Sequence, residues 1–293
     1  YPLSHSFSQP YFTKKFAQLG ISDTYLYVNF ELEHISDFPE ILAKHPDLGG
    51  LNVTIPHKEA VIPYLDELSP AARAIGAVNT IVVRDGKTIG YNTDVLGFRD
   101  DFLTFLDLNV ARFPANSNGS LQSSSDGNDS QSALLPAKDV ATLKSKQRAN
   151  KFTMKSLRGK KALVLGTGGA SLAVHYTLNE LGIETTAVSR TPGEGRITYA
   201  DLTAKRLNEY TFVINTTPLG MSPKVEGRPD LPYAAFSAQH YCYDIVYNPE
   251  VTRFLRTAAA NGANVRNGLG MLHGQAEAAW DIWNSTTTKN SQL

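Results

Sequence analysis

The sequence predicts an α/β protein of two domains, and three observations carry that prediction. Between residues 1 and 94, short runs of alternating apolar and polar residues are separated by stretches of helical period. From residue 160 a second such series begins, opening with an apolar run that feeds directly into a glycine-rich turn. Between the two, over 111–155, the composition turns polar: NSNGSLQSSSDGNDSQS is followed by the mildly basic KDVATLKSKQRANK. Such a stretch has almost nothing to bury, so a disordered insertion on a surface loop is expected rather than a basic tether.

The first half is taken in order. Ser8 reads as an N-cap, with Phe12, Phe16 and Leu19 at helical spacing until Gly20 ends the run. Tyr25 to Phe30 alternates as a strand, and Ile35 to Ala43 is amphipathic and helical. Leu51 to Ile55 is a strand stopped by Pro56, which offers no ladder N–H. Ala60 to Leu68 reads as helix, and Ser69-Pro70 opens the next one. Asn79–Val83 and Thr88–Tyr91 form a hairpin across Asp85-Gly86. Strands separated by helices predict a mostly parallel sheet. Asp94 then caps a helix from Val95 to about Leu108.

Order is expected to resume at Lys160, with an apolar strand, the turn Gly166-Thr167-Gly168-Gly169-Ala170-Ser171 and a helix from Leu172 to Leu181. Strands follow at Glu184–Val188, Phe212–Ile214 and Tyr243–Tyr247, then a helix over 250–261, a short strand near Asn264-Val265 and a last helix from Gly270 to Asn284.

With 293 residues, 42% of them apolar, the chain can build one large or two modest cores. A formal net charge of +0 gives no global field toward nucleic acid or an acidic membrane. The single cysteine, Cys242, rules out an internal disulfide and fits a reducing compartment. No apolar run approaches the roughly 18 residues that span a bilayer. A cytoplasmic protein with a small-molecule substrate, no nucleic-acid or membrane partner, and a monomeric or homodimeric state is expected. The chain opens at Tyr1-Pro2-Leu3 inside a motif and without methionine, so an upstream natural N-terminus, with any signal it carries, is expected too.

The chemistry concentrates in GLNVTIPHKE at 50–59 and in two later stretches, GAVNT at 76–80 and YNTD at 91–94. Each places a polar residue, Lys58, Asn79 or Asp94, just past an apolar strand-like run, where folds display chemistry. Singly these are a surface lysine, a turn residue and a helix cap; converging in one cleft they make a proton-transfer pair and an amide that holds a polyol. The strand, glycine turn and helix at 161–181 form the nucleotide-binding unit of a Rossmann-type fold, although Ser171 replaces the third glycine of G-x-G-x-x-G. NAD sites place an acid about 20 residues on. Here Ser189-Arg190-Thr191 ends the next strand, and an arginine fork suits a phosphate dianion, which predicts NADP(H). Ser6 and Ser8 precede a helix and are placed to hold a carboxylate. Gln275 lies early on the final helix, within reach of a cleft. The histidines show no H-E-x-x-H spacing, and no metal is expected.

These motifs together carry a resemblance. SHSFS, NVTIPHK, GAVNT, NTD, GTGGAS, SRT, NTTPLGM, DIVYNP and GMLHGQA stand in the order of the shikimate and quinate dehydrogenase family, over essentially everything but 111–155. The resemblance implies a two-domain α/β enzyme: a substrate-binding catalytic domain over 1–94 and 268–293, and a Rossmann-type NADP-binding domain over 95–267. It implies reversible NADPH-dependent reduction of 3-dehydroshikimate to shikimate, in aromatic amino-acid biosynthesis. Lys58 and Asp94 would be the catalytic pair; Thr54, Asn79 and Gln275 would hold ring hydroxyls; Ser6 and Ser8 would bind the carboxylate, with Tyr247 nearby. Gly166, Thr167, Gly168, Gly169, Ala170 and Ser171 would take the pyrophosphate, and Ser189, Arg190 and Thr191 the 2′-phosphate. Thr216, Thr217, Pro218, Leu219, Gly220 and Met221, with Gly268, would approach ribose or nicotinamide.

Three departures stand out. The family's first strand would precede Tyr1, Ser189 stands where asparagine is frequent, and the 111–155 stretch is long for the family. Two alternatives remain at this point: a quinate or dual enzyme using NAD, which Arg190 argues against, and a redox-silent ligand sensor, which Lys58 and Asp94 argue against.

Overall fold

A computed structural model describes residues 6–107 and 152–285. The expectation of a disordered insertion therefore lies outside the described residues over 111–151. Its last residues, 152–155, do not: Phe152 is 4% exposed and sits against Phe212 and Tyr241, with ring centroids 5.8 Å and 5.1 Å away. The folded chain thus takes in 152–159, ahead of the expected Lys160, because an aromatic side chain among these residues has a core to enter.

In the first half, α1 (Ser8–Leu19) turns Phe12 and Phe16 onto Ala276, Trp280 and Trp283. Gly20 ends it at φ 67, in the left-handed region where a glycine has no Cβ penalty. Phe7, not Ser8, holds the cap position, and the Ser8 hydroxyl bonds the Tyr27 phenol instead. A 3₁₀ turn (Ile35–Asp37) leads into α2 (Phe38–Lys44), then β1 (Gly50–Asn52) and the single turn α3 (His57–Ala60). The helix expected over 60–68 breaks up, since Pro63 lacks an N–H: a 3₁₀ turn at Ile62–Tyr64 gives way to β2 (Glu67–Leu68). Ser69 caps α4 (Pro70–Ile75), its Oγ accepting from the Ala72 N–H at 3.2 Å. β3 (Thr80–Arg84) and β4 (Lys87–Tyr91) form the expected hairpin, with Asp85 and Gly86 at φ 52 and 74. α5 (Asp94–Phe105) follows.

The strand order is β1-β3-β4-β2. β3 runs antiparallel to both β1 and β4, and only β2 with β4 is parallel, which corrects the mostly parallel expectation. A two-residue hairpin dictates antiparallel neighbours whatever the flanking helices suggest. Tyr25–Phe30 joins neither sheet; residues 26–30 line a groove with β1.

The second half runs α6 (Met154–Leu157), β5 (Lys161–Leu165), α7 (Gly169–Glu180), β6 (Glu184–Ser189), β7 (Arg196–Thr198), α8 (Ala204–Leu207), β8 (Phe212–Asn215), β9 (Tyr241–Asp244), α9 (Arg253–Ala260), β10 (Asn264–Asn267) and α10 (Leu269–Asn284). All six strands are parallel, in the order β10-β9-β8-β5-β6-β7. The chain steps outward from β5 through β6 and β7, then returns to the other side as β8, so a switch point opens above β5. β9 ends before the expected Tyr247, because the Asp244 carboxylate folds forward onto the Val246 N–H at 3.1 Å.

α5 joins the halves. Phe98, Phe102 and Leu103 enter the cluster of Leu157, Val164, Phe212, Tyr243 and Met271, while Val95 packs with Ile75, Ala77 and Ala173. A Cβ at Gly97 would lie 2.4 Å from the Met271 carbonyl oxygen and 2.7 Å from the Gln275 nitrogen, so only glycine lets α5 and α10 meet backbone to backbone. Asp101 ties the joint to the sheet, accepting from the Tyr243 hydroxyl at 2.6 Å and from Arg266.

Phe152→Ala should remove about 3 kcal/mol or more of unfolding free energy, the usual cost of an emptied aromatic core site. Denaturant unfolding checks this; a loss under about 1 kcal/mol would place Phe152 outside the core.

Candidate functional site

Lys58 and Asp94 meet. Lys58 Nζ donates to Asp94 Oδ2 at 2.6 Å, with the two side chains 16% and 9% exposed. Lys58 comes from α3, just past β1, and its carbonyl accepts the Val78 N–H at 2.8 Å, which anchors the turn to the segment leading into β3. Asp94 is not the expected cap. It occupies the first turn of α5, where helix N–H groups favour an anion, and its side chain is committed to Lys58 and Asn79. Asn79 Nδ2 donates to Asp94 Oδ1 at 2.9 Å, so each carboxylate oxygen has a donor of its own.

Four residues that the sequence reading did not single out belong to this cluster. Thr93 N–H donates to Asn79 Oδ1 at 2.7 Å, and Thr80 Oγ1 donates to the same oxygen at 3.1 Å. Asn52 Nδ2 approaches Thr80 Oγ1 at 3.3 Å, and the Tyr27 hydroxyl donates to Asn52 Oδ1 at 2.9 Å. Thr80, Thr93 and Asn52 stand inside GAVNT, NTD and NVTIPHK, so proximity in sequence to Asn79 and Asp94 could have found them. Tyr27 gave no such signal.

Ser6, Ser8 and Thr54 line one groove with Tyr27 and Asn52. Tyr247 reaches the same end, its ring 6.5 Å from Phe7 and edge-on. Gln275 lies across the α5–α10 contact, its backbone against Gly97, one turn beyond Asp94; its Nε2 donates back to the Leu272 carbonyl at 3.0 Å.

The glycine turn sits at the switch point. Gly166, at φ 111, donates its N–H to the Val188 carbonyl, and a Cβ there would lie 2.9 Å from Thr216 Oγ1. The turn therefore packs on the loop leaving β8, which Thr216 fastens by donating its hydroxyl to the Leu165 carbonyl at 2.7 Å. α7 opens at Gly168 with no side-chain cap, which leaves its first N–H groups directed at whatever lies beyond the turn. A Cβ at Gly168 would meet nothing within 4 Å, and one at Gly169 would come within 3.8 Å of Lys58 Cδ. The catalytic candidates and the uncapped helix end thus face each other. Thr167 and Ala170 belong to that turn, while Ser171 is buried and donates its hydroxyl to the Gly168 carbonyl at 2.7 Å. These residues fit a dinucleotide pyrophosphate.

Ser189 and Thr191 flank exposed Arg190 at the end of β6, the Thr191 N–H donating to Ser189 Oγ at 3.2 Å. Arg190 makes no hydrogen bond or ion pair among the described residues, and the Tyr199 phenol lies within its electrostatic reach. Beyond β8, Thr217 donates its hydroxyl to Asn215 Oδ1 at 2.6 Å, Gly220 takes φ 88, and Leu219 and Met221 stand 40% and 46% exposed after Pro218. Gly268 abuts the Ile245 carbonyl, where a Cβ would lie 2.2 Å away. Asp244 holds this end together: Oδ1 accepts from Asn215 Nδ2 at 2.9 Å and from the Val246 N–H, and Oδ2 from the Thr252 hydroxyl at 2.6 Å. Burial outweighs those donors and pushes its carboxyl up to about 6.

The chain as a whole is similar to proteins of known activity. A family model for the shikimate dehydrogenase substrate binding domain matches residues 1–81. The shikimate dehydrogenase (NADP(+)) of Desulforamulus reducens is 32% identical over 305 residues, covering 98% of this chain and 88% of that protein. A crystal structure of a shikimate dehydrogenase in complex with NADP⁺ superposes with a TM-score of 0.73 at 26% identity, covering 97% of this chain and 87% of its own. The Thermus thermophilus enzyme, in complex with NADP(H) and shikimate, superposes at 0.67 with 28% identity, covering 97% and 90%.

Because the fold raises the Asp244 pKa, the protonated form is the one the native state favours. Its contribution to stability is present below about pH 4 and is lost as pH rises through about 6, by up to about 3 kcal/mol. Asp244→Asn cannot titrate and keeps the Oδ1 bonds. Unfolding free energy measured between about pH 4 and pH 7 should fall for the wild type relative to this variant. Parallel curves would show that Asp244 is ionised throughout.

Proposed function

The chain belongs to the shikimate dehydrogenase family, and from that premise we propose how its residues divide the work. The reaction is the reversible NADPH-dependent reduction of 3-dehydroshikimate to shikimate. The single observation that carries the assignment of roles is the Lys58–Asp94 pair, 2.6 Å apart, standing beside the open N-terminus of α7.

When bound, the dihydronicotinamide supplies a hydride to the ring carbonyl carbon, and the carbonyl oxygen takes the electron pair. Lys58 stabilises the developing alkoxide as an ammonium and delivers its proton to that oxygen. Asp94 orients the amine by accepting from it, and Asn79 holds the carboxylate in place. At 16% exposed, Lys58 recovers its proton from solvent once product forms. Ser6 and Ser8 hold the substrate carboxylate with Tyr247 beside them; Thr54, Asn79 and Gln275 take ring hydroxyls. A ring without the matching hydroxyls forfeits these hydrogen bonds and so loses binding, which is how this site selects its substrate. Gly166 to Ser171 receive the pyrophosphate, Ser189, Arg190 and Thr191 the 2′-phosphate, and the Thr216–Met221 loop with Gly268 the ribose and nicotinamide. In this division 1–94 and 268–293 form the substrate-binding domain and 95–267 the cofactor domain. No helix among the described residues is long and apolar enough to cross a membrane, and the one thiol, Cys242, is buried, so we place the enzyme in the reducing cytoplasm.

Neither alternative is favoured. A redox-silent sensor leaves the buried ion pair without a purpose, and an NAD-linked quinate enzyme leaves Arg190 without one.

Lys58→Ala should lower kcat by about 10²–10⁴ in the NADP⁺-linked oxidation of shikimate, with only a modest change in the KM for shikimate. Near-wild-type turnover would remove Lys58 as the acid. Arg190→Ala should raise the KM for NADPH about 10- to 100-fold, the worth of lost charge-assisted hydrogen bonds, and barely affect NADH. Equal losses with both cofactors would move the phosphate site elsewhere.

A further inference from the structure

Catalytic pairs must be aimed, and a carboxamide can aim a neighbour only if it cannot flip. Asn79 offers Asp94 an amide nitrogen in one orientation and a carbonyl oxygen, which would repel the carboxylate, in the other. The surrounding donors select the first. Asn79 Oδ1 accepts from the Thr93 N–H, whose direction is set by the backbone, and from the Thr80 hydroxyl. The Thr80 hydroxyl has one proton, and because its oxygen accepts from Asn52 Nδ2 at 3.3 Å that proton goes to Asn79 Oδ1 at 3.1 Å or to Thr93 Oγ1 at 3.2 Å, whose own hydroxyl reaches Asn79 Oδ1 at 3.2 Å. Asn52 in turn presents nitrogen to Thr80, and to the Asn79 carbonyl at 3.4 Å, because its Oδ1 accepts from the Tyr27 hydroxyl. By either route the bonds run in one sense: Tyr27 to Asn52, Asn52 to Thr80, Thr80 to Asn79 directly or by way of the Thr93 hydroxyl, Asn79 to Asp94.

We propose that Thr80 and Tyr27 are positioning residues for the Lys58–Asp94 pair, acting through Asn52 and Asn79 to fix the orientation of the carboxylate. The inference rests on the reading of Lys58 and Asp94 as catalytic, and concerns residues that touch neither of them. Four features make the chain suited to the role. Thr80 is fully buried and Asn79 is 3% exposed, so water does not compete for these bonds. The Tyr27 ring lies stacked on Phe12, centroids 5.0 Å apart and 14° between planes, which holds its hydroxyl against Asn52. Burial also pushes that phenol up to about 12, so it remains a donor over the working pH range. The backbone supplies the spacing, since Asn52 and Thr80 are register partners on β1 and β3.

The experiment is steady-state oxidation of shikimate by NADP⁺ with Thr80→Val, Thr80→Ser, Tyr27→Phe and the Thr80→Val/Tyr27→Phe double variant, beside Lys58→Ala. Thr80→Val should lower kcat about tenfold while the KM for NADP⁺ stays within about twofold, and Thr80→Ser should return kcat to within about twofold. Tyr27→Phe should lower kcat about threefold, and the double variant should lose no more than Thr80→Val alone, as members of one chain do. Wild-type kcat in Thr80→Val, equal impairment in Thr80→Ser, or multiplied losses in the double variant would overturn the proposal. Should Thr80→Val fail to fold, Tyr27→Phe decides alone, and wild-type kcat there is the negative result. The two readings separate through Lys58→Ala: activity in that variant removes the catalytic pair itself, whereas an inactive Lys58→Ala beside a fully active Thr80→Val removes only the positioning role.

Discussion

An ammonium and a carboxylate placed 2.6 Å apart and largely out of water add little to stability, because desolvation of two ions can exceed their mutual attraction. Their retention in the cleft therefore points to chemistry, and much of the first half of the chain is arranged to make the pair tolerable. Asp94 gains the first turn of α5 and an amide donor on its second oxygen. Lys58 gains a turn anchored to the segment that leads into β3. The two residues come from segments 36 apart in sequence, and the antiparallel sheet is what closes that gap. Asn52, Thr80 and Tyr91 lie in one row across β1, β3 and β4, so the chain ends leaving β1 and β4 emerge side by side.

A proton donor is useful only if the hydride arrives at the same carbon, and that demand falls on the joint between the two sheets. The close approach of α5 and α10 at Gly97 and Gly274 brings Gln275 to within a turn of Asp94. Val95, on the other side of α5, packs with Ala173 of α7. One helix thus fixes its own first residue, the proposed catalytic carboxylate, against both the substrate half and the helix proposed to receive the pyrophosphate. The approach of Gly169 to the Lys58 side chain is the outcome.

Local chemistry was legible in the sequence where a residue's own type determines the backbone. Gly20, the Asp85-Gly86 hairpin, the Ser69 cap and the strand that feeds Gly166 all follow from conformational preference over a few residues, and the structure shows each. Lys58, Asn79 and Asp94 were legible as a set because each follows an apolar run. What was not legible depends on partners distant along the chain. Tyr25–Phe30 alternates like a strand and yet pairs with no ladder, since alternation states a preference and not the presence of a neighbour. Ser8 and Asp94 both carry good capping side chains, and in both a tertiary partner, Tyr27 or Lys58, captures the side chain first. Phe152 was hidden by the polar composition of its neighbours, which is an average that one buried ring can defy.

The two buried aspartates at the ends of the two sheets show how environment divides roles within one site. Asp94 faces an ammonium and an amide; Asp244 faces an amide, a backbone N–H and a hydroxyl, with no cation bonded to it among the described residues and no exposure at all. A charge beside the reacting carbon helps, because charge develops there and the response must be immediate. Burial raises the Asp244 pKa to about 6, so the carboxyl keeps most of its charge at neutral pH and takes up a proton as the pH falls below that value. The part Asp244 plays is geometric: one carboxyl fastens the end of β8, the loop after β9 and the cap of α9, on the side of the loop that carries the exposed Leu219 and Met221. A nicotinamide ring packed on these two side chains would be held by shape, while the Lys58–Asp94 pair supplies the charge proposed to act at the reacting carbon.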